Sequence, residues 1–175
     1  AADRERISVV RSARPDAWIG VDANQGFVRG DLDALAAACR DFSVALIEQP
    51  LKRGDEASLE GWAPAIPVAA DESILGLDEL HERARYFDVI NIKLDKCGGL
   101  TEALQMAHTA RLYGKQVMVG NMGGSTLAMA PGFVLGQLCD VVDLDGPFGL
   151  ADDPLAKQIY KDGAIFVAEA MWGAA

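Results

Sequence analysis

At 175 residues, half of them hydrophobic, the chain has enough apolar content to bury the core of one domain. Sixteen Lys and Arg stand against 26 Asp and Glu, a net charge of −10, which argues against nucleic acid and anionic membranes as partners. Cys39, Cys97 and Cys139 are odd in number without metal-ligand spacing, and no secretory or membrane-spanning apolar run is visible, so a cytoplasmic protein with reduced thiols is expected.

In chain order, the spacing of Ile7, Val10 and Arg11 predicts a helix from Asp3 to Arg14, stopped before Pro15. A strand over 17–21 and a polar loop over 22–26 follow. Asp31 is expected to cap a helix running to about Asp41. A strand over 44–47 ends in Glu48-Gln49-Pro50-Leu51, and a short helix over 56–62 leads to a strand over 67–70. A helix over 77–85, a strand over 87–94, a turn at Gly98-Gly99 and an amphipathic helix over 100–113 come next. A strand over 116–120 ends in Asn121-Met122-Gly123-Gly124-Ser125, which opens a helix to about Leu138. A last strand over 140–142 ends in Asp143-Leu144-Asp145-Gly146-Pro147. Trp18, Trp62 and Trp172 read as packing residues, and His81 and His108 as solvated or satisfied in the core.

Six strand–helix units alternate without a long linker or a low-complexity stretch. This predicts an α/β fold made of six βα units of a parallel (β/α)8 barrel over residues 1–150. The tail over 151–175, with Tyr160, Ile165-Phe166-Val167 and Trp172, loses the rhythm and is expected to pack outside the barrel. A complete barrel of this type takes about 250 residues. The chain also opens in the middle of a helical pattern, so it is expected to be the C-terminal piece of a larger protein, without the first strands.

Asp22, Glu48 and Asp71 each close an apolar run, and Lys93 closes Val89-Ile90-Asn91-Ile92. Runs of this kind suit parallel strands covered on both faces. Polar residues at the carboxyl ends of barrel strands converge on one mouth, where chemistry is done. One strand-end acid alone is explained as well by a helix cap, but three at matching positions are not. Three carboxylates suit a hard divalent cation, Mg²⁺ or else Mn²⁺, and Lys93 beside it suits a base. A dication nearby and a water-poor mouth are expected to let Lys93 be neutral near pH 7. Asp143 and Asp145, two apart at a strand end, are expected to point the same way and attract an ammonium group; a plain Asp-Gly-Pro turn is the competing account. Free amides after Gly123-Gly124-Ser125 could hold an anion.

Val21-Asp22-Ala23-Asn24, Ile47-Glu48-Gln49-Pro50-Leu51, Ala70-Asp71-Glu72-Ser73 and the stretch from Asn91 to Gly99 resemble the enolase superfamily, muconate-lactonising subgroup. Asp143-Leu144-Asp145 is similar to the Asp-x-Asp motif of its dipeptide epimerases. The resemblance implies Asp22, Glu48 and Asp71 as magnesium ligands and Lys93 as the acid/base lysine. It implies that Asp143 and Asp145 hold the substrate ammonium; Asn24, Asn91 and Gly123 are further candidate substrate contacts. The implied activity is 1,1-proton transfer α to a carboxylate in L,D-dipeptides such as Ala-Glu. The implied ligand is therefore a small dipeptide or amino-acid derivative, and homo-oligomerisation is left open. A second lysine in a Lys-x-Lys motif and an N-terminal capping domain, both family features, are not in this chain. Three alternatives stand beside this reading. The first is another activity of the superfamily: N-acylamino acid racemase, o-succinylbenzoate synthase or cycloisomerase. The second is a non-catalytic fragment, and the third a phosphate-binding barrel synthase using Gly123-Gly124.

Overall fold

The computed structural model describes residues 2–153, 160–161 and 164–166. Helix α1 (Ala2–Ala13) precedes β1 (Gly20–Asp22), and a 3-10 turn over Arg29–Asp31 runs into α2 (Leu32–Asp41). Strand β2 (Leu46–Glu48) is followed by a 3-10 turn over Glu56–Leu59, β3 (Val68–Ala70) and α3 (Leu77–Arg83). Then come β4 (Val89–Lys93), the one-turn α4 (Leu94–Cys97), α5 (Leu100–Leu112) and β5 (Gln116–Gly120). Helix α6 (Thr126–Gly136), β6 (Val141–Val142) and a 3-10 turn over Gly146–Gly149 complete the series. The six strands lie side by side in sequence order and pair in parallel throughout, a curled half-barrel with an α-helix in every crossover but that from β2 to β3, which holds a 3-10 turn. Among the described residues, β1 and β6 each pair on one side only.

The two faces of this sheet bury different things. Ile47, Ile90, Ile92, Val117 and Val119 face the helices, against Leu32, Leu80, Met106 and Phe133. The other face carries a small separate cluster, Leu46, Ala69, Val89 and Met118 with Val141 against it. Side chains two apart along a strand share a face. One step further toward the carboxyl ends, that inner face therefore presents Glu48, Asp71, Asn91, Gly120 and Asp143, with Asp22 paired in register to Glu48. A layer of apolar side chains thus forms a floor, and the polar layer stands on it.

Several local expectations change. Asp31 makes no side-chain cap bond: the 3-10 turn before α2 leaves it in a helical backbone conformation (φ −94°, ψ −13°), where a capping residue would be extended. Ile7 is buried, but Val10 is 49% exposed because α1 rests on the body through one narrow stripe. Trp18 is 59% exposed rather than packed inside; β1 starts only at Gly20, and the indole lies over that glycine, where a Cβ would fall 2.9 Å from its ring. Trp62 does pack on the core and donates its indole N–H to Asp33 at 3.1 Å. The helix expected over 56–62 is a single 3-10 turn, and the strand expected through Leu94 gives way there to α4. Gly98 ends α4 in the left-handed region (φ 90°), which a glycine enters without strain.

Beyond Ala151, the described residues include an antiparallel pair, β7 (Tyr160–Lys161) with β8 (Ala164–Ile165). The Tyr160 hydroxyl donates to the Leu144 carbonyl, and its ring meets Phe148 edge-on at 6.0 Å. Val167 and Trp172 lie outside the described residues. Among the described residues, no helix is long and apolar enough to cross a membrane.

Candidate active site

Each predicted acid is placed by a strand end and then fixed by a neighbour. Asp22 closes β1, and its two carboxylate oxygens accept from Asn24, at 2.8 Å from the backbone N–H and 3.3 Å from Nδ2. Asn24 and Gln25 take positive φ values of 43° and 62°, which turn the loop back on that acid. Glu48 closes β2, is 7% exposed, and accepts at Oε1 from Asn91 Nδ2 at 2.6 Å. Burial pushes its carboxyl up to about 7; Asn91 opposes the rise, and the negative charges of Asp71 and Asp22 add to it.

Asp71 follows β3 and is 2% exposed. Its backbone N–H donates to Gln49 Oε1 at 2.9 Å, and the Ser73 N–H reaches the same oxygen at 3.1 Å. Gln49 Nε2 in turn donates to the Leu51 carbonyl and to Ser73 Oγ, both at 2.8 Å. Gln49 is buried with a positive φ of 38°, so the loop after β2 is bent to lay this one amide under the third acid. The Gln49-Pro50 step is visible in the sequence, but nothing local announces the clamp.

The lysines complete the group. Lys93 Nζ donates to Asp71 Oδ2 at 2.6 Å, and Lys96 Nζ donates to Asp71 Oδ1 at 2.5 Å. Burial works to lower the Lys93 pKa, but the hydrogen bond and charge of Asp71, with Glu48 and Glu72, outweigh it and hold the group above its ordinary value. In this arrangement the unscreened carboxylates favour the ammonium. Gly120 gives both site groups of β4 their room. A Cβ there would fall 2.7 Å from Asn91 Oδ1 and 2.9 Å from Lys93 Cε. Asn91 is 2% exposed, and its Oδ1 has no hydrogen-bond partner among the described residues.

Asp143 lies just past β6, and burial raises its pKa, followed by the charge of Asp145. The strand ends at Val142 and Asp145 heads a 3-10 turn, so the two acids meet by a bend and not by strand alternation. The charge of Lys93 works against the rise at Asp143. A cavity of about 450 Å³ joins the two ends of the sheet, lined by Asp22, Glu48, Met118, Val141 and Asp143 among others. Tyr160, which the sequence offers only as a packing residue of the tail, lies near Asp143 and Asp145; burial and then nearby acids push its hydroxyl up to about 12. Gly123 sits on an exposed loop with open space around it. The helix start beyond it is already served: Thr126 N–H donates to Asp153, and Ala128 N–H to Ser125 Oγ at 3.3 Å.

Three carboxylates on neighbouring strand ends, two of them buried, form a donor set that fits a hard divalent cation. In the present arrangement, among the described residues, no three His, Cys, Asp or Glu side chains converge closely enough to hold one. Asp71 is instead turned onto the lysines.

The sequence matches the enolase C-terminal domain-like family over residues 1–163. It is similar to an N-acetyl-D-glutamate racemase of Pseudoalteromonas sp, 38% identical over 171 residues that cover 97% of this chain and 54% of that protein. It is also similar to the L-Ala-D/L-Glu epimerase of Escherichia coli K12, 40% identical over 149 residues, covering 85% of this chain and 46% of that one. A solved enolase family member from Agrobacterium tumefaciens with homology to dipeptide epimerases, holding sodium and L-Ala-L-Glu, gives a TM-score of 0.87 at 38% identity. That likeness covers 93% of this chain and 50% of the Agrobacterium one. The chain spans about half the length of the relatives it matches. A match that takes in nearly the whole sequence, with a solved relative whose backbone follows the same curled sheet, places this chain in the enolase C-terminal domain-like family.

Proposed function

We propose that the protein carrying this chain is a metal-dependent epimerase that moves the proton α to a carboxylate in L,D-dipeptides such as Ala-Glu. The observation that carries the reading is the placement of Lys93 against Asp71, at the carboxyl ends of the strands, where Asp22 and Glu48 close β1 and β2 and Asp143 follows β6. Mg²⁺, with Mn²⁺ as the second choice, would be held by Asp22, Glu48 and Asp71. Bound there, it supplies positive charge against the charge that develops on a carboxylate as its α-proton leaves. Lys93 is the group that takes or returns that proton. It can accept one only as the free amine, so its hydrogen bond to Asp71 relaxes in the working site. Asp143 and Asp145 hold the substrate's free ammonium, which would relieve the repulsion that adds to burial in raising Asp143. Asn91 keeps Glu48 aimed, and Asn24 keeps Asp22 aimed. Gly123 borders the mouth as a substrate contact through its backbone. A dipeptide or amino-acid derivative, rather than a nucleic acid, suits a net charge of −10, and three free thiols suit the cytoplasm.

A second reading, racemisation of N-acylated amino acids, draws on the likeness to the N-acetyl-D-glutamate racemase. An acylated nitrogen carries no charge for Asp143 and Asp145 to hold, which favours the dipeptide. Incubation with Mg²⁺ in D₂O of L-Ala-L-Glu on one side and N-acetyl-L-glutamate on the other, followed by chiral analysis and NMR, decides between them. Epimerised, α-deuterated dipeptide supports the first reading. Exchange in the N-acetyl compound alone selects the second, and exchange in neither removes both.

A further inference from the structure

We propose that Lys96 is a built-in rival of the divalent cation: it neutralises Asp71 when no ion is bound, and an incoming ion has to displace it. The inference rests on the metal-dependent reading above. Asp71 is deeply buried, with 3% of its side chain exposed, and each of its oxygens already faces an ammonium. Lys93 has a role of its own in proton transfer. Lys96 has none, yet it makes the equally close contact, at 2.5 Å with 17% of its side chain exposed.

The route to that contact is structural. Lys93 ends β4, and the single turn of α4 swings the chain so that Lys96, three residues on, folds back over the mouth. The left-handed Gly98 then releases the chain into α5. Asp71 cannot move as a whole, because its backbone N–H is fastened to Gln49. Only rotation of its side chain can carry the carboxylate over Asp22 and Glu48, and the two ammonium groups hold it against that rotation. The acids are consequently not gathered into an ion-holding trio.

Charge gives the reason for two lysines rather than one. Three acids at adjacent strand ends repel one another, and two ammonium groups offset that repulsion about as a dication would. Once an ion bridges the acids, a second positive charge against Asp71 becomes unfavourable. Lys96, one helical turn past the strand end and without a part in proton transfer, is the one that gives way.

Isothermal titration of Mg²⁺ into the chelator-treated protein and its Lys96→Met and Lys96→Arg variants tests this, with thermal unfolding followed in parallel. Lys96→Met is expected to bind Mg²⁺ roughly tenfold more tightly than the parent, the scale on which a charge at this range shifts an equilibrium. Its metal-free form is expected to melt below the parent, with the gap closing at saturating Mg²⁺. Lys96→Arg, which keeps the charge, is expected to retain the parental affinity. A lysine that merely supported the fold would weaken Mg²⁺ binding when removed. Equal or weaker binding by Lys96→Met overturns the inference and leaves the metal-dependent reading standing; no Mg²⁺ binding by any of the three overturns both. If Lys96→Met is unfolded without metal, folding on addition of Mg²⁺ supports the inference, and failure to fold at saturating Mg²⁺ overturns it.

Discussion

Asn91 holds Glu48 across the full width of an intervening strand: Nδ2 on β4 donates to Oε1 on β2 at 2.6 Å, passing over β3. The small side chain of Ala69, level with Glu48 in the β2–β3 register, leaves the space for that reach. A hydrogen bond to a charged, buried carboxylate contributes about 1.5–3 kcal/mol. Asn91→Leu is therefore expected to destabilise the protein by about 2 kcal/mol in urea unfolding at pH 8. A variant as stable as the parent would mean that the bond does not hold the acid.

The same acid makes stability depend on pH. Burial sets the Glu48 pKa at about 7 in the folded protein, against 4.5 without the fold. A carboxyl with a raised folded pKa binds its proton more tightly in the native state, so folding is penalised once the pH passes the lower value. The penalty grows up to the higher one and stays level beyond it. Without divalent metal, the protein is expected to lose roughly 3 kcal/mol relative to Glu48→Gln across that window. Urea unfolding of the pair from acid to neutral pH measures it, and a difference that does not change with pH would rule out a protonated Glu48.

Gly120→Ala tests the clearance over β5. Its Cβ would press on Asn91 Oδ1 at 2.7 Å and on Lys93 Cε at 2.9 Å, within a layer closed by the packed strand beneath. Overpacking of this kind costs about 1–3 kcal/mol. We expect that loss in chemical denaturation, together with impaired proton exchange, because both displaced groups belong to the site. Parental stability and exchange in the variant would show that the mouth has slack.

Lys93→Ala is expected to abolish α-proton exchange on one stereochemical face of the dipeptide. Deuterium incorporation into the L,L and L,D substrates, followed separately by NMR, reads this directly. Exchange at the parental rate from both faces would remove Lys93 from the reaction.

Much of this arrangement was legible because buried parallel strands are written as apolar runs, and charged residues stop those runs where the barrel opens. That is how Asp22, Glu48, Asp71 and Lys93 declared themselves, and the six-unit order followed from the same rhythm. Boundaries were less legible: the run through Trp18 looks like strand, but pairing begins at Gly20, since hydrogen bonding needs a neighbour and not only hydrophobicity. The single turn of α4 was hidden by its length, and with it the contact of Lys96 with Asp71. Gln49 and Gly120 were invisible for a different reason. What each does depends on the group lying opposite it in the folded sheet, and no local pattern records that.

Gln49 has one more implication, for how this architecture can change over evolutionary time. A single amide stitches the loop leaving β2 to the loop leaving β3, with Leu51 on one side and Asp71 and Ser73 on the other. Inserting or deleting a residue in either loop would break the stitch and misplace two of the acids at once. Length variation should therefore be tolerated at the opposite rim of the sheet, where the helices return, and refused here.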